Sequence, residues 1–552
     1  MRMNGIVSSG LLALALASCV DSPVGETESE LGNGDGRYAH WRIERARRQA
    51  ELDVYNGAHA DEYASFKNAA LGNSGIPMIM LRLFPELFPQ IWGPPSMHFA
   101  PVGLGEDTLE PSRVLPLGLG YAPSQPPIPT QFGPVNINVA QLTCAGCHTG
   151  RVLDEDGNVQ HMFGAPSTQF TRFRGSVFAT VTSPAYTAAA FTAALSTKPP
   201  GWVYGMTDPA AVQKEMIERA VFTALAPTIV GNLKAGSIAG AQRFQLTLGT
   251  YTYGMTPNAP NPSGSTPGYL DAIGAGITIV IDPAVLTPAQ VRAAVPPLPA
   301  MIDIMSVWNQ KDRPSAQWDG SIASKLHRNL AAELGVVGRP DKLNMDNANK
   351  TTAYTENLPS TPYPFDIDTA SAARGQHLFK QNCASCHTAG NDEIFDPSYV
   401  GTDANRAVIW TPYSMAGLTG ALRIGCTDPV TCNQPDGSPV PDAQIISSTG
   451  GYMALPLDGL WARAPYLHNG SVPTIYALLT GERPVAFQRG NVAYDQQRMG
   501  FVDTATPFSA VFDTTRSGNS NVGHDTSDFN GYVDWKNEPK KLDDLISYLK
   551  TL

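Results

Sequence analysis

Two pentapeptides carry the chemistry of this chain, Cys144-Ala145-Gly146-Cys147-His148 and Cys383-Ala384-Ser385-Cys386-His387. Two thiols separated by two residues, with an imidazole directly after them, suit covalent attachment of a haem. The thiols add to its two vinyl groups and the histidine meets the iron from the proximal side. A bare Cys-x-x-Cys also fits a redox or zinc site, but zinc needs two further ligands for each pair, and the sequence holds no other cysteine pair of that type. The sequence therefore predicts two covalently bound haem c groups. Cys144, Cys147, Cys383 and Cys386 are the attachment points, and His148 and His387 the iron ligands.

The remaining three of the seven cysteines have other uses. Cys426 and Cys432, six positions apart in a Gly/Pro/Asp-rich stretch, read as a local disulfide, which belongs in an oxidising compartment. Cys19 follows Leu16-Ala17-Ser18 at the end of a short apolar leader that begins after Arg2. This is similar to the lipobox of exported bacterial lipoproteins, so Cys19 is the expected lipidation site and residues 1–18 the signal peptide. Val20 rather than Asp after that cysteine favours the outer membrane, on the periplasmic face or the cell surface. No later stretch is long and apolar enough to span a bilayer, so the mature chain is expected to be anchored by lipid. The formal net charge of −11 argues against nucleic acid as a partner, because phosphates would be repelled.

The elements that must position these residues read as helical. Residues 37–70 are rich in Arg, Glu and Ala. Asp208 and Pro209 open a helix expected to reach about residue 225, with Val212, Met216 and Ala220 on its apolar face. Asp368 caps a helix leading into the second motif. Pro539 opens the last helix, in which Leu542, Leu545, Ile546 and Leu549 recur at helical spacing. A Pro-rich run, residues 121–134, precedes the first motif, and residues 256–268 read as a surface loop. The fold class expected is mainly α, with two cytochrome c-like haem domains, large loop-rich insertions and little β. The division is 1–18 signal peptide, 19–36 flexible tether, 37–352 N-terminal haem domain and 353–552 C-terminal cytochrome c domain, with residues 350–367 as the linker. Beyond the two motifs no strong internal repeat is evident.

Further segments carry a family resemblance. They are Leu455-Pro456-Leu457-Asp458-Gly459 through Tyr466-Leu467-His468-Asn469-Gly470-Ser471, Gly518-Asn519-Ser520-Asn521-Val522-Gly523-His524, Gly164-Ala165-Pro166 and Gln317-Trp318-Asp319-Gly320-Ser321. With the two motifs, the chain resembles the di-haem cytochrome c peroxidase superfamily, most closely its rubber oxygenase-like branch. The helix around Arg374-Gly375-Gln376 resembles the first helix of a class I cytochrome c, where a Gly lets the last helix cross closely. The resemblance implies a reactive N-terminal haem with an accessible axial face for O2 or hydrogen peroxide. It also implies a six-coordinate C-terminal haem that handles electrons, completed by His524.

His468 is the rival of His524 for that sixth position, and Met415 and Met453 are weaker candidates, since Met more often fills a core. For the first haem, His161 is the distal candidate, against an ordinary strand histidine beside an acidic turn. Trp308 and Trp318 either line the reactive pocket, bridge the haems, or are plain core. Arg463 and Arg423 suit haem propionates. His40, His59, His98, His327 and His377 have no supporting context. The reaction expected is oxidative alkene cleavage on an apolar polymer, as the resemblance implies. Peroxidase chemistry is the alternative within the class; it needs a distal acid/base, usually His or Glu, and His161 is the residue that discriminates the two. A non-catalytic electron-transfer cytochrome is the alternative outside it. An electron-transfer protein is the expected redox partner.

Overall fold

Asp368 opens the helix that leads into the second motif. Its carboxylate accepts from the backbone N–H groups of Ala370 and Ser371, and the helix runs Thr369–Asn382, so donors that a helix start leaves unpaired are satisfied. The computed structural model describes residues 36–97, 99–104, 113–125, 127–130, 133–167, 173–247, 268–270, 272–280, 286–294, 298–524 and 533–552. The stretches read as signal peptide and, apart from Gly36, as tether lie outside the described residues, as do Cys19, His98 and all but the last residue of the loop at 256–268.

The last helix, Pro539–Leu549, buries Leu542, Leu545, Ile546 and Leu549, the four apolar positions read from its spacing. It crosses the Thr369–Asn382 helix where only a glycine fits. A Cβ on Gly375 would run into the Asp544 carbonyl oxygen and lie 2.8 Å from the Cβ of Tyr548. Arg374 Nη2 and Ser371 Oγ both donate to Asp544 at 2.6 Å, which pins the crossing point.

The architecture is mainly α. Strands form one three-stranded and six two-stranded sheets among the described residues. The first motif nevertheless sits among strands. It forms a short helical turn, Cys144–Cys147, between the strand Asn138–Leu142 and the hairpin of Thr149–Leu153 with Val159–Phe163. The acidic turn at 154–157 closes this hairpin, with Asp154 accepting from the N–H groups of Asp156 and Asn158.

Three further readings differ. The helix opened by Asp208 runs Pro209–Thr247, well past residue 225. Its inner face is also rotated: Met216 and Ala220 are exposed, whereas Glu215, Glu218, Arg219 and Phe222 are buried. Charged groups tolerate burial there because they are paired. Arg219 meets Glu215 at 2.6 Å and donates to the Lys198 and Pro199 carbonyls, and Glu218 accepts from Tyr204 and Asn138.

The stretch 350–367 is not a free linker either. Its first part lies in the helix Met345–Glu356, and Leu358, Tyr363, Phe365 and Ile367 are buried in a core cluster shared with Trp41, Ala145, Trp308, Phe379 and Trp461. Aromatic and branched side chains in that stretch outweigh its turn-forming prolines.

The third difference is an internal repeat. Residues 303–324 and 453–474 have the same local structure at a constant offset of 150. Left-handed backbone recurs at Asn309 and Gly459, at Gln317 and Leu467, and at Gly320 and Gly470. Ala316 bridges Ile322 as Tyr466 bridges Val472. Ser324 caps the helix Lys325–Val337 as Thr474 caps Ile475–Thr480. The two copies also bond to each other reciprocally: Asp303 N–H donates to the His468 carbonyl at 2.8 Å and Met453 N–H to the Trp318 carbonyl at 3.0 Å. The sequence signature, Arg-x4-(Trp/His)-(Asp/Asn)-Gly-Ser-(Ile/Val), is short, which is why it escapes a search for long repeats.

Gly375→Ala should lower stability by about 1–3 kcal/mol, because the helices must part to admit the methyl group. A thermal melt superimposing on that of the parent protein would show that the crossing is looser than this geometry.

Candidate functional site

Each motif presents its histidine in the same way. His148 Nδ1 lies 3.0 Å from the Met305 carbonyl oxygen, and His387 Nδ1 lies 2.8 Å from that of Leu455. Met305 and Leu455 are equivalent positions of the repeat. A ring that donates from Nδ1 to a carbonyl keeps Nε2 unprotonated and aimed away, as a metal ligand must be. Burial, followed by the positive charges of Arg328 and Arg313, pushes His148 down to about 3. Burial likewise lowers His387. Both rings are therefore neutral at physiological pH.

Beside each carbonyl stands a buried arginine, also at equivalent positions. Arg313 donates to the Ser306 carbonyl at 2.7 Å and to its hydroxyl at 3.0 Å, while Arg463 donates to the Pro456 carbonyl at 2.8 Å and to that of Asp458. These bonds make both guanidiniums part of the frame that fixes the proximal carbonyls.

At the second motif a cavity of about 240 Å³ opens between Cys383, Cys386 and His387 on one side and His524 on the other. The His387 and His524 rings are nearly parallel, 18° apart, with centroids separated by 6.3 Å. Two imidazoles with a metal between them, about 2 Å from each ring nitrogen, place their centroids roughly 6 Å apart. Donor set and spacing thus fit a covalently attached haem c with two axial histidines. Burial, then the charges of His387 and Arg483, pushes His524 down to about 3, so this ring too is neutral.

The loop that carries His524 is tied down by donors. Asn469 Nδ2 donates to the Gly518 and Ser520 carbonyls at 3.1 and 2.9 Å, Ser471 Oγ to that of Ser520 at 2.9 Å, and Arg483 to those of Asn521 and Gly523. His524 N–H reaches the Val400 carbonyl at 3.0 Å. His468 also lines the cavity but stacks on Tyr452 with centroids 4.3 Å apart, its Nε2 being 3.1 Å from the Tyr452 hydroxyl. The geometry favours His524 over His468 as the residue opposite His387.

At the first motif Cys144 Sγ lies 3.5 Å from the Thr351 hydroxyl. Burial pushes the Cys144 thiol up to about 11 and that of Cys147 up to about 12. Among the described residues no second imidazole faces His148. Antiparallel pairing sets His161 opposite Arg151. It opens with Ala145, Gly146 and Ser167 onto a small pocket behind the motif turn that does not include His148. The buried carboxyl of Glu333 accepts from Asn347 Nδ2 at 3.1 Å and from the Asn344 N–H at 3.3 Å. Burial raises it well above the carboxylate range. Nothing in the spacing of Glu333 marked it; only the fold brings it near Cys144.

The two tryptophans separate. Trp308 is buried, donates to the Phe163 carbonyl at 2.7 Å, and is hemmed in by Gly164 and Gly459, where any Cβ would strike its ring. Gly164 N–H bonds to the His148 carbonyl, and Gly459 adjoins Leu460 of the other cavity. Trp308 thus packs against segments that adjoin both sites. Trp318 lines the cavity of the second motif, not the pocket of the first. The reciprocal bond from Met453 draws it across. Met453 lines that cavity too, whereas Met415 packs into a separate core. Arg423 pairs with Asp442 on the surface. Cys426 and Cys432 are joined by a disulfide, with Cα atoms 5.6 Å apart.

Comparison with known proteins agrees in kind. Residues 451–488 match a family described as RoxA-like, cytochrome c-like. Residues 370–421 match cytochrome C oxidase, cbb3-type, subunit III, and residues 62–148 match a Y4iN-like domain. The uncharacterized protein y4iM of Sinorhizobium fredii is 35% identical over 389 residues, covering 61% of this chain and 89% of its own length. From the same organism, y4iJ is 49% identical over 111 residues, 19% of either chain. Its y4iN is 32% identical over 119 residues, 20% of this chain and 57% of its own length.

Asn469→Asp replaces two donated N–H groups with an oxygen facing carbonyl oxygens. It should cost about 1–3 kcal/mol and speed amide exchange across residues 518–524. An unchanged denaturation midpoint with unchanged exchange would mean that Asn469 does not hold the loop.

Proposed function

Because the chain belongs to the family of the Sinorhizobium fredii protein y4iM, and its domains are those of a c-type cytochrome family related to RoxA, we propose that it is a di-haem oxidoreductase with unequal sites. The redox role and covalent haem c follow from the domains. The proposal is that both motifs are loaded, that the His148 site reacts with O2, and that the His387 site passes electrons. One observation carries this reading: His387 faces His524 at iron-spanning distance, whereas no imidazole faces His148 among the described residues.

Haem c supplies one-electron chemistry and, where an axial position is open, reaction with O2 or peroxide. The chain's own part is to fix coordination. Met305 and Leu455 orient the proximal rings, and Asn469, Ser471 and Arg483 hold the His524 loop. Trp308, in contact with segments of both sites, is the natural path for electrons between them. The reaction we favour is oxidative cleavage of an apolar alkene. What supports it is that His161, the candidate acid/base for peroxide cleavage, opens onto a pocket that does not include His148. A large apolar polymer would require display outside the cell. That agrees with export on a lipid anchor at Cys19, with a separate electron-transfer protein as redox partner.

Pyridine haemochrome assay after maturation should return two haems per chain, and one for Cys383→Ala with Cys386→Ala. A single haem in the parent protein would end the two-haem reading. The oxidised protein should show mixed high- and low-spin bands, and His524→Ala should convert the low-spin part. If the parent protein were wholly low-spin, an electron-transfer cytochrome would replace the oxygenase. Oxygen uptake with polyisoprene, against turnover with hydrogen peroxide, separates the two reactions. Trp308→Phe should slow re-equilibration of electrons between the haems with both spectra unchanged; an unaltered rate would remove Trp308 from the path.

A further inference from the structure

Arg328 is a buried charge whose hydrogen bonding is incomplete among the described residues. It sits in the first turn of the helix Lys325–Val337, 7% exposed, and its Nε and Nη2 atoms have no hydrogen-bond partner among the described residues. The charge of Glu356 acts on it, but buried N–H groups without acceptors are costly, so it should face a group that completes them.

The internal repeat shows where it points. Arg328 is the fourth residue after the cap Ser324, as Leu478 is the fourth after the cap Thr474. Leu478 lines the cavity between His387 and His524. The frames that precede the two helices match position for position, from Met305 and Leu455 through Arg313 and Arg463 to Gly320 and Gly470. By the repeat, Arg328 stands toward His148 as Leu478 stands toward His387. Its charge is felt there: after burial it is the largest influence lowering His148, and it also acts on Cys144.

From these observations we propose that Arg328 forms, with its two unpartnered nitrogens, a binding site for a small anion in the open axial position at His148. This rests on the proposed asymmetry and names its chemistry: a planar donor fork for an anionic axial ligand, in place of the leucine at the other site. The same donors would also suit a carboxylate of the cofactor itself, and the test separates these sources.

The experiment is titration of the oxidised, fully matured protein with sodium fluoride and with sodium azide, followed by the haem absorption bands. The parent protein should bind one anion per chain. Arg328→Leu, which reproduces the other site, should weaken fluoride binding roughly 10- to 100-fold. Arg328→Lys should fall between, and the low-spin bands should not change in either. Equal affinity in Arg328→Leu and parent overturns the proposal, as does a shift in reduction potential without a change in anion affinity, which would assign Arg328 to a cofactor carboxylate. Should Arg328→Leu mature with one haem, Arg328→Gln and Arg328→Lys carry the comparison, and anion affinity equal to the parent's in both overturns it equally. A parent protein that binds no anion sinks the open-site reading instead, so the two failures are distinct.

Discussion

The bond from each proximal imidazole to a main-chain carbonyl sets the rest of the structure. It fixes the tautomer and the direction of Nε2, and a rotation of that carbonyl would turn the ring away from any metal. The carbonyls of Met305 and Leu455 lie far in sequence from the motifs they serve. The fold must carry each one to its histidine, and it does so with one device used twice. A buried arginine bonds the residue after the carbonyl, and a Gly-Ser turn follows. The reciprocal bonds between Asp303 and His468 and between Met453 and Trp318 lock the two copies together, so neither carbonyl can move without disturbing the other site.

A repeated frame makes the differences between the sites readable as chemistry. The helix after the second copy stops at Thr480 and leaves Arg483 to donate to loop carbonyls. The helix after the first copy continues to Val337 and carries Glu333, an acceptor already engaged by Asn347 and the Asn344 N–H. One side is built to hold a histidine loop, and the other packs helix on helix. Trp308 reaches across because Gly164 and Gly459 leave room on both sides of its ring.

A c-type cytochrome was legible in the sequence because Cys-x-x-Cys-His places its candidate haem-binding residues within five positions. The helix capped by Asp368 and the last helix were legible for the same reason, being set by local spacing, whereas the Gly375 crossing was implied by the resemblance to a class I cytochrome c. Three things were not. The linker at 350–367 reads as turn-rich, but its aromatic side chains find a core that only the fold assembles. The face of the Pro209–Thr247 helix is misjudged because Glu215, Glu218 and Arg219 gain distant or helical partners, which reverses the usual rule that charges face water. The repeat hides because its copies share backbone conformation more than side chains. Gly459 and Asn309 or Leu467 and Gln317 are unrelated residues in the same left-handed position.

The same comparison locates the origin of the asymmetry in a single functional group. Asn469 and Asp319 occupy equivalent, fully buried positions. Asn469 has an amide N–H2 and spends it on the carbonyls of Gly518 and Ser520. Asp319 has no such donor. It accepts from Trp410 Nε1 at 2.9 Å and forms a buried ion pair with Arg406. A buried amide can gather carbonyl oxygens, whereas a buried carboxylate must gather donors and a positive charge. A glycine-rich loop offers carbonyls, so it settles against Asn469 and brings His524 over His387. Against Asp319 such a loop would meet like partial charges, and the space is taken instead by an arginine and an indole. The choice between amide and carboxylate thus accounts for why a second histidine comes to face His387.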